Sequence, residues 1–345
     1  MSIKTVAITG ASGFIAHWVV RYCLEQGLVV HGTVRDLTNT DKCQSLVKLQ
    51  KAFPNQLHLF EADLLKTESF DAAFKNVDAV IHTASPVNFV TKNPKKDLME
   101  PAVEGTRNVV SSILKNPKIK KWVMTSSVAA IRSSHGTKDL LTEDDWNDDQ
   151  ELNYATSKAQ AERLAWQLSD QHQLDLVTIN PSVVLGPSLS DRLDAPSHTL
   201  IEPLFNGKFT WGVPNMVFSI VDVRDVARAH LNALLTPEAK GRHILASGQL
   251  TFWEATKHLK KHLNLPKLPK FPLPNWLVIL VGPWVTKSQG NAGVSRALIR
   301  RYLSKKPDYD AAKSINQLGI KYRSPEDALL DHITCLQKLT QNKSN

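Results

Sequence analysis

A chain that opens on a strand, a glycine turn and a helix within its first 26 residues has few folds open to it. Lys4-Thr5-Val6-Ala7-Ile8 is a β-branched apolar run that reads as a buried parallel strand. Thr9-Gly10-Ala11-Ser12-Gly13-Phe14-Ile15-Ala16 follows it, and Phe14 to Gln26 carries the apolar period of a helix. Gly10 and Gly13 let the backbone turn tightly and approach an anion with no Cβ in the way. The helix N-terminus adds N–H donors and partial positive charge, a cradle for a dinucleotide pyrophosphate. Ala16, the third small residue, is expected close to a strand.

The chain goes on in the same rhythm. Strands are expected at Leu28 to Val34, Leu57 to Phe60, Ala79 to His82, Lys121 to Thr125 and Asp175 to Asn180. Helices are expected around Lys42 to Ala52, Phe70 to Lys75, Glu100 to Leu114 and Glu151 to Gln171. Such alternation predicts an α/β fold of Rossmann type: a doubly wound parallel sheet, with ligands at the carboxyl ends of its strands. The chain of 345 residues exceeds what a nucleotide fold needs, so a smaller C-terminal substrate-binding lobe is expected. The division reads as 1–180 for the NADP-binding part, with returning segments around 215–247, and 181–340 mainly for the lobe. The proline-rich stretch Pro266 to Pro274 marks a loop or lobe boundary.

The strand ends carry chemistry. The second strand ends at Arg35-Asp36, where such a fold meets the adenosine ribose. A guanidinium suits a 2′-phosphate and Lys42 adds a second positive charge, so NADP(H) is preferred. Asp36 could instead accept a ribose hydroxyl, which keeps NAD(H) open. Asp63-Leu64, Thr83-Ala84-Ser85-Pro86 and Thr125-Ser126-Ser127 close three further strands onto one crevice. Tyr154 and Lys158, four residues apart, share one helix face. A nearby ammonium is expected to lower the phenol's pKa from about 10 and make it a better proton exchanger. The glycine turn and this pair together predict redox chemistry at a carbonyl.

On these residues the chain resembles an extended short-chain dehydrogenase/reductase of the NAD-dependent epimerase/dehydratase superfamily. Within it, the chain is similar to the dihydroflavonol reductase and cinnamoyl-CoA reductase-like group. Asn108-Val109, the run Pro181 to Pro187 and Val221-Asp222-Val223-Arg224-Asp225-Val226-Ala227 extend the likeness over nearly the whole chain. The resemblance implies that Ser127 bonds the substrate carbonyl, Tyr154 donates the proton, Lys158 tunes Tyr154 and binds the nicotinamide ribose, and Asn108 helps order the site. It implies cofactor contacts from Gly10, Ser12, Gly13, Phe14, Ile15, Arg35, Lys42, Asp63, Leu64, Thr83, Ala84, Ser85 and Thr125, and further from Tyr154, Lys158, Pro181, Ser182, Val183, Val184 and Ser197.

The expected activity is NADPH-dependent reduction of an aldehyde or ketone to an alcohol. Two departures leave the substrate open. Arg132 stands where flavonoid reductases place Asn or Asp, and Leu152-Asn153-Tyr154 where plant cinnamoyl-CoA reductases carry Asn-Trp-Tyr. The rivals are a sugar-nucleotide epimerase or dehydratase and a 3β-hydroxysteroid-type dehydrogenase. The epimerase group follows its serine with Val-Tyr-Gly, where this chain has Val128-Ala129-Ala130. An NADP-sensing regulator commonly loses the tyrosine-lysine pair, which is intact here.

The net charge of +9 reads as scattered lysines with modest clusters at Lys115 to Lys121 and Lys257 to Lys261, where aromatic interleaving is sparse, which argues against a nucleic-acid partner. Cys23, Cys43 and Cys335 lack metal-ligand spacing and are odd in number, which fits a reducing cytoplasm and no metal site. No targeting signal is visible at the N-terminus. The apolar run Trp276 to Val285 is too short to span a bilayer and reads as a core helix or a wall of the substrate pocket, with interfacial attachment to a membrane as the alternative. Oligomeric state is not legible, and a homodimer is compatible with the sequence. Tyr309 to Ile320 is expected to form a closing helix and strand, Ser324 to Leu339 a final helix, and Thr340 to Asn345 a frayed tail.

Overall fold

A computed structural model describes residues 3–85, 93–133, 138–148, 152–194, 196–288, 296, 299–300, 303 and 308–344. Its centre is a sheet of seven parallel strands: β1 (Thr5–Thr9), β2 (Val29–Val34), β3 (Leu57–Glu61), β4 (Ala79–His82), β5 (Lys121–Thr125), β7 (Asp175–Pro181) and β11 (Gly241–Leu245). Their order is β11-β7-β5-β4-β1-β2-β3, so the winding reverses between β1 and β4 and opens a crevice there. β6 (Leu140–Leu141) lies outside this sheet. Both faces are covered, which is why β1, β4 and β5 are mostly apolar and almost wholly buried. One face packs on α1 (Phe14–Glu25) and α2 (Thr40–Ala52) through Val19, Cys23 and Leu46. The other packs on α3 (Asp71–Phe74), α4 (Glu100–Leu114) and α5 (Asn153–His172), around Trp122, Phe74 and Ile113.

These elements lie within about two residues of their sequence expectations, α3 included. Pro86, at the end of the Thr83 turn, and Glu151, where α5 was expected to begin, fall outside the described residues.

Beyond β7 a second, smaller sheet of order β12-β10-β8 joins β8 (Val183–Leu185), β10 (Val217–Asp222) and β12 (Gly248–Thr251), while β9 (Val213–Pro214) stands apart. Its apolar side and helices α6 (Pro196–Ile201), α8 (Phe252–His262) and α11 (Pro325–Ser344) enclose a third core that includes Leu185, Ile220, Leu259 and Ile333. α7 (Val223–Leu235) returns to the large sheet, capped by the Asp222 carboxylate on the Arg224 N–H. β13 (Pro272–Leu273) pairs with β9 and leads into α9 (Asn275–Ser288). β14 (Asp308–Tyr309) pairs with β6, and α10 (Ala312–Leu318) follows.

Three expectations change here. No strand follows α10 among the described residues: Gly319, at φ +62°, ends the helix in a left-handed turn. α11 runs on to Ser344, so the polar tail from Thr340 continues the helix. α9 is not a core helix, for Trp276, Leu280, Val281 and Trp284 on it are exposed.

Candidate active site

The turn after β1 is built from backbone. Gly10 sits at φ +66°, and a Cβ there would stand 3.1 Å from Ala84, so the residue is held to glycine both by conformation and by the approach of the β4 turn. Thr9 Oγ1 accepts the N–H groups of Thr83 and Ala84 at 3.1 Å, and the Thr83 hydroxyl bonds back to the Thr9 carbonyl. The two strand ends are thereby locked side by side. Gly13 caps α1 with no side-chain bond, and no acidic residue lies in the first turn, where Phe14 and Ile15 are half-buried. The N-terminal N–H groups and the positive end of the helix dipole are thus left for an anion.

At the end of β2, Arg35 is exposed, and Lys42 lies in the first turn of α2 below its Asn39 cap. Asp36 turns inward on its own loop: Oδ1 accepts the Thr38 N–H at 2.8 Å and hydroxyl at 2.6 Å, which holds its pKa below the usual value. That carboxylate oxygen is committed, and the two cations are left facing outward. Sequence reasoning missed Arg192, whose guanidinium donates to the Ser12 carbonyl at 3.1 Å and pairs with Asp194. Its charge is felt at Cys43, as is that of Lys42, so a third cation joins the same corner. Only the fold brings it there, from 180 residues along the chain.

Asp63 and Leu64 form the turn after β3, in which Asp63 Oδ1 accepts the Leu65 N–H. Asn108 donates from its side chain to the Leu64 carbonyl at 2.7 Å and so fixes this turn to α4. Ser85 follows Ala84 in the β4 turn, and Ser197 lies in α6. Thr125 closes β5, but its hydroxyl is spent: His230 Nδ1 donates to the Val226 carbonyl, so neutral Nε2 accepts from Thr125 Oγ1 at 2.7 Å. Pro181 ends β7, and Val183 and Val184 open β8. Between them Ser182 is buried and its hydroxyl has no partner, an unsatisfied group at the strand end where the cofactor contacts are expected.

α5 carries the chemistry. Tyr154, Lys158 and Glu162 recur every four residues on one face. The Tyr154 hydroxyl is hydrogen-bonded to Ser127, and Ser127 Oγ accepts the Ala129 N–H at 3.1 Å. Burial pushes the phenol up to about 12, against the pull of the Ser127 bond. The sequence reading expected the ammonium to lower it; in the folded protein desolvation dominates, because a phenolate loses its water here. Burial also brings Lys158 down to about 8, with the Glu162 carboxylate opposing it.

Glu162, fully buried, was not expected from the sequence, although its spacing extends the pair. It accepts from Arg242 Nε at 2.7 Å, Thr178 at 3.1 Å, Asn180 at 2.9 Å and the Ser126 hydroxyl. Arg242, on β11, lies over the Trp146 ring at 3.8 Å and donates to the Glu143, Asp145 and Ala130 carbonyls. Asn180 also donates to the Ser127 carbonyl at 3.3 Å. One buried carboxylate thus holds the end of β5, the start of the Ser127 turn and the helix that carries Tyr154. Arg132 is half-buried beyond that turn.

The glycine cradle, the uncapped helix, the three cations and the unsatisfied Ser182 hydroxyl fit a phosphorylated dinucleotide. No group of three or more His, Cys, Asp or Glu side chains able to hold a metal occurs among the described residues. The family model described as "NAD dependent epimerase/dehydratase family" matches residues 6–246. A cinnamoyl-CoA reductase of Medicago truncatula is 38% identical over 275 residues, 77% of this chain and 83% of its own. Tetraketide alpha-pyrone reductase 1 of Arabidopsis thaliana is 35% identical over 341 residues, 96% of this chain and 94% of its own. Among solved structures, Gre2 of Candida albicans in complex with NADPH superposes with a TM-score of 0.81 at 29% identity, covering 97% of this chain and 99% of that one.

Proposed function

The chain belongs to the NAD dependent epimerase/dehydratase family, and from that premise we propose that it is an NADPH-dependent reductase that converts an aldehyde or ketone to an alcohol. The observation that carries this reading is the Ser127–Tyr154–Lys158 arrangement, placed on one side by the Ser127 turn and on the other by α5. The relatives are reductases, and a neighbour in fold was solved with NADPH.

Gly10, Ser12, Gly13 and the first turn of α1 would hold the pyrophosphate. Arg35, Lys42 and Arg192 would hold the 2′-phosphate, and the Asp63-Leu64 turn the adenine. Thr83 to Ser85, Pro181 to Val184 and Ser197 would line the rest. The bound reduced nicotinamide supplies the hydride for the carbonyl carbon.

The chain's own groups manage the oxygen. Ser127 and Tyr154 donate hydrogen bonds to it and stabilise the charge that grows there. Tyr154, kept protonated at neutral pH by burial, gives up its proton. Lys158 then faces a phenolate, and its ammonium stabilises that charge until a proton returns. Asn108 acts on the adenine side through the Leu64 carbonyl. Residues 1–180 with α7 and the returning strand β11 form the nucleotide part, and 181–340 mainly the substrate lobe, which has its own core. Three unpaired thiols support a cytoplasmic, reducing setting.

The test is NADPH absorbance followed with a panel of aldehydes and ketones. Turnover of a panel member supports the reading. Tight NADPH binding without oxidation by any member favours the sensing regulator.

A further inference from the structure

The positive charge of this protein is not spread over it. Residues 255–307 hold eleven Lys or Arg and no Asp or Glu, so the net +9 is +11 for this stretch against −2 for all the rest. The same stretch carries two of the three exposed tryptophans among the described residues. α9 places Trp276, Leu280 and Trp284 one turn apart on one face, with Val281 beside them. Trp276 is 65% and Trp284 77% exposed, while Val278 on the other side is buried. The helix is apolar nearly all round, a pattern that belongs to a helix covered on every side.

The chain just ahead of the helix is exposed and apolar as well, for β13 leads directly into α9. β9 and β13 pair in parallel, and the Val213 N–H bonds the Phe271 carbonyl, which sets Trp211 beside Phe271 at one end of this ribbon. Trp211 is 76% exposed with the Lys270 ammonium 4.8 Å from its ring centroid, and Phe271 is exposed too. Lys267 and Lys208 are exposed close by. Three exposed tryptophans on these successive elements, with exposed aliphatic side chains on α9 and lysines at the ribbon, supply the mixture of groups suited to a lipid headgroup boundary.

We propose that α9 and the β9–β13 ribbon dock this protein on the surface of an anionic lipid bilayer. A second copy of the chain is a poor occupant, because it would bring the exposed Lys208, Lys267 and Lys270 of one chain against those of the other. No helix among the described residues is long and apolar enough to cross a membrane, so the contact is interfacial. This inference is independent of the carbonyl chemistry.

The full-length protein is sedimented with vesicles of phosphatidylcholine alone and with vesicles that also contain phosphatidylserine. Binding is expected to the second kind, with a blue shift of tryptophan emission and release by high salt. Lys267→Gln/Lys270→Gln should weaken it roughly 30-fold, since each lysine near such a surface is worth about fivefold. Trp276→Ser/Trp284→Ser should abolish the blue shift, and NADPH binding by both variants checks that they fold. Equal sedimentation with both vesicle types, or unchanged binding by both variants, overturns the proposal. So does a dimer that Trp276→Ser/Trp284→Ser converts to a monomer, because α9 would then be covered by its own kind.

Discussion

The turn after β1 and the inner face of α5 serve the same crevice, yet they are assembled in different ways. The turn is made of main chain: glycines without a Cβ, the uncapped N-terminus of α1, and the Thr9 hydroxyl clamping the neighbouring turn. The α5 face is made of side chains whose protonation is set by burial, and it rests on one carboxylate that five side chains reach: Arg242, Ser126, Thr178, Asn180 and Trp166. A backbone site tolerates changes around it so long as the glycines remain. A buried charge network does not, because each group removed leaves another unpaired in a medium that penalises it. Binding and chemistry should therefore fail separately, and mutants can show whether they do.

The largest effect should come from Tyr154→Phe, which removes the proton donor and leaves the glycine turn untouched. Turnover should fall roughly 10³-fold while NADPH affinity stays within a few-fold, measured by single-turnover absorbance and fluorescence titration. A near-normal rate would take Tyr154 out of the mechanism.

Next is Glu162. Glu162→Ala should lower stability in denaturant melts by about 3–5 kcal/mol, because Arg242 is left buried without its partner. Adding Arg242→Met should recover part of that loss. The milder Glu162→Gln sharpens the comparison through pH. Lys158 must be protonated to act, so the reduction rate should fall as pH rises through about 8. Glu162 holds that pKa up, so its loss should move the alkaline limb to lower pH. A limb that does not move would separate Lys158 from the network.

Changes at the cation corner should touch binding alone. Arg35→Ala should weaken NADPH about 10- to 100-fold and NADH less than about twofold, with kcat unchanged. An equal loss for both cofactors would make Arg35 structural.

The smallest effect per residue concerns stability in acid. Burial holds His17, His198, His230 and His243 down to about 4, and His82 and His332 to about 3. These folded values lie below the unfolded value near 6.5, so the unfolded chain binds more protons and stability falls as pH drops below that point. Each histidine should cost about 1 kcal/mol between pH 6.5 and 5.5. Acid titration followed by far-UV circular dichroism should show cooperative loss of structure near pH 5, and a fold unchanged at pH 4 would contradict this.

The order of strands and helices, the glycine cradle, the Arg35 corner and the Tyr154/Lys158 spacing were legible in the sequence, because each is a local pattern. Periodicity marks what is buried, glycine marks where a backbone must come close, and four-residue spacing marks one helix face. Arg192 on Ser12, Arg242 on Glu162 and the outward face of α9 were settled by tertiary structure alone. The first two join residues 180 and 80 positions apart, and no local pattern records such a meeting. The third turns on which side of an apolar helix finds a partner. The direction of the Tyr154 shift belongs with them: the neighbouring ammonium could be read from spacing, but the loss of water around the phenol depends on everything packed against it.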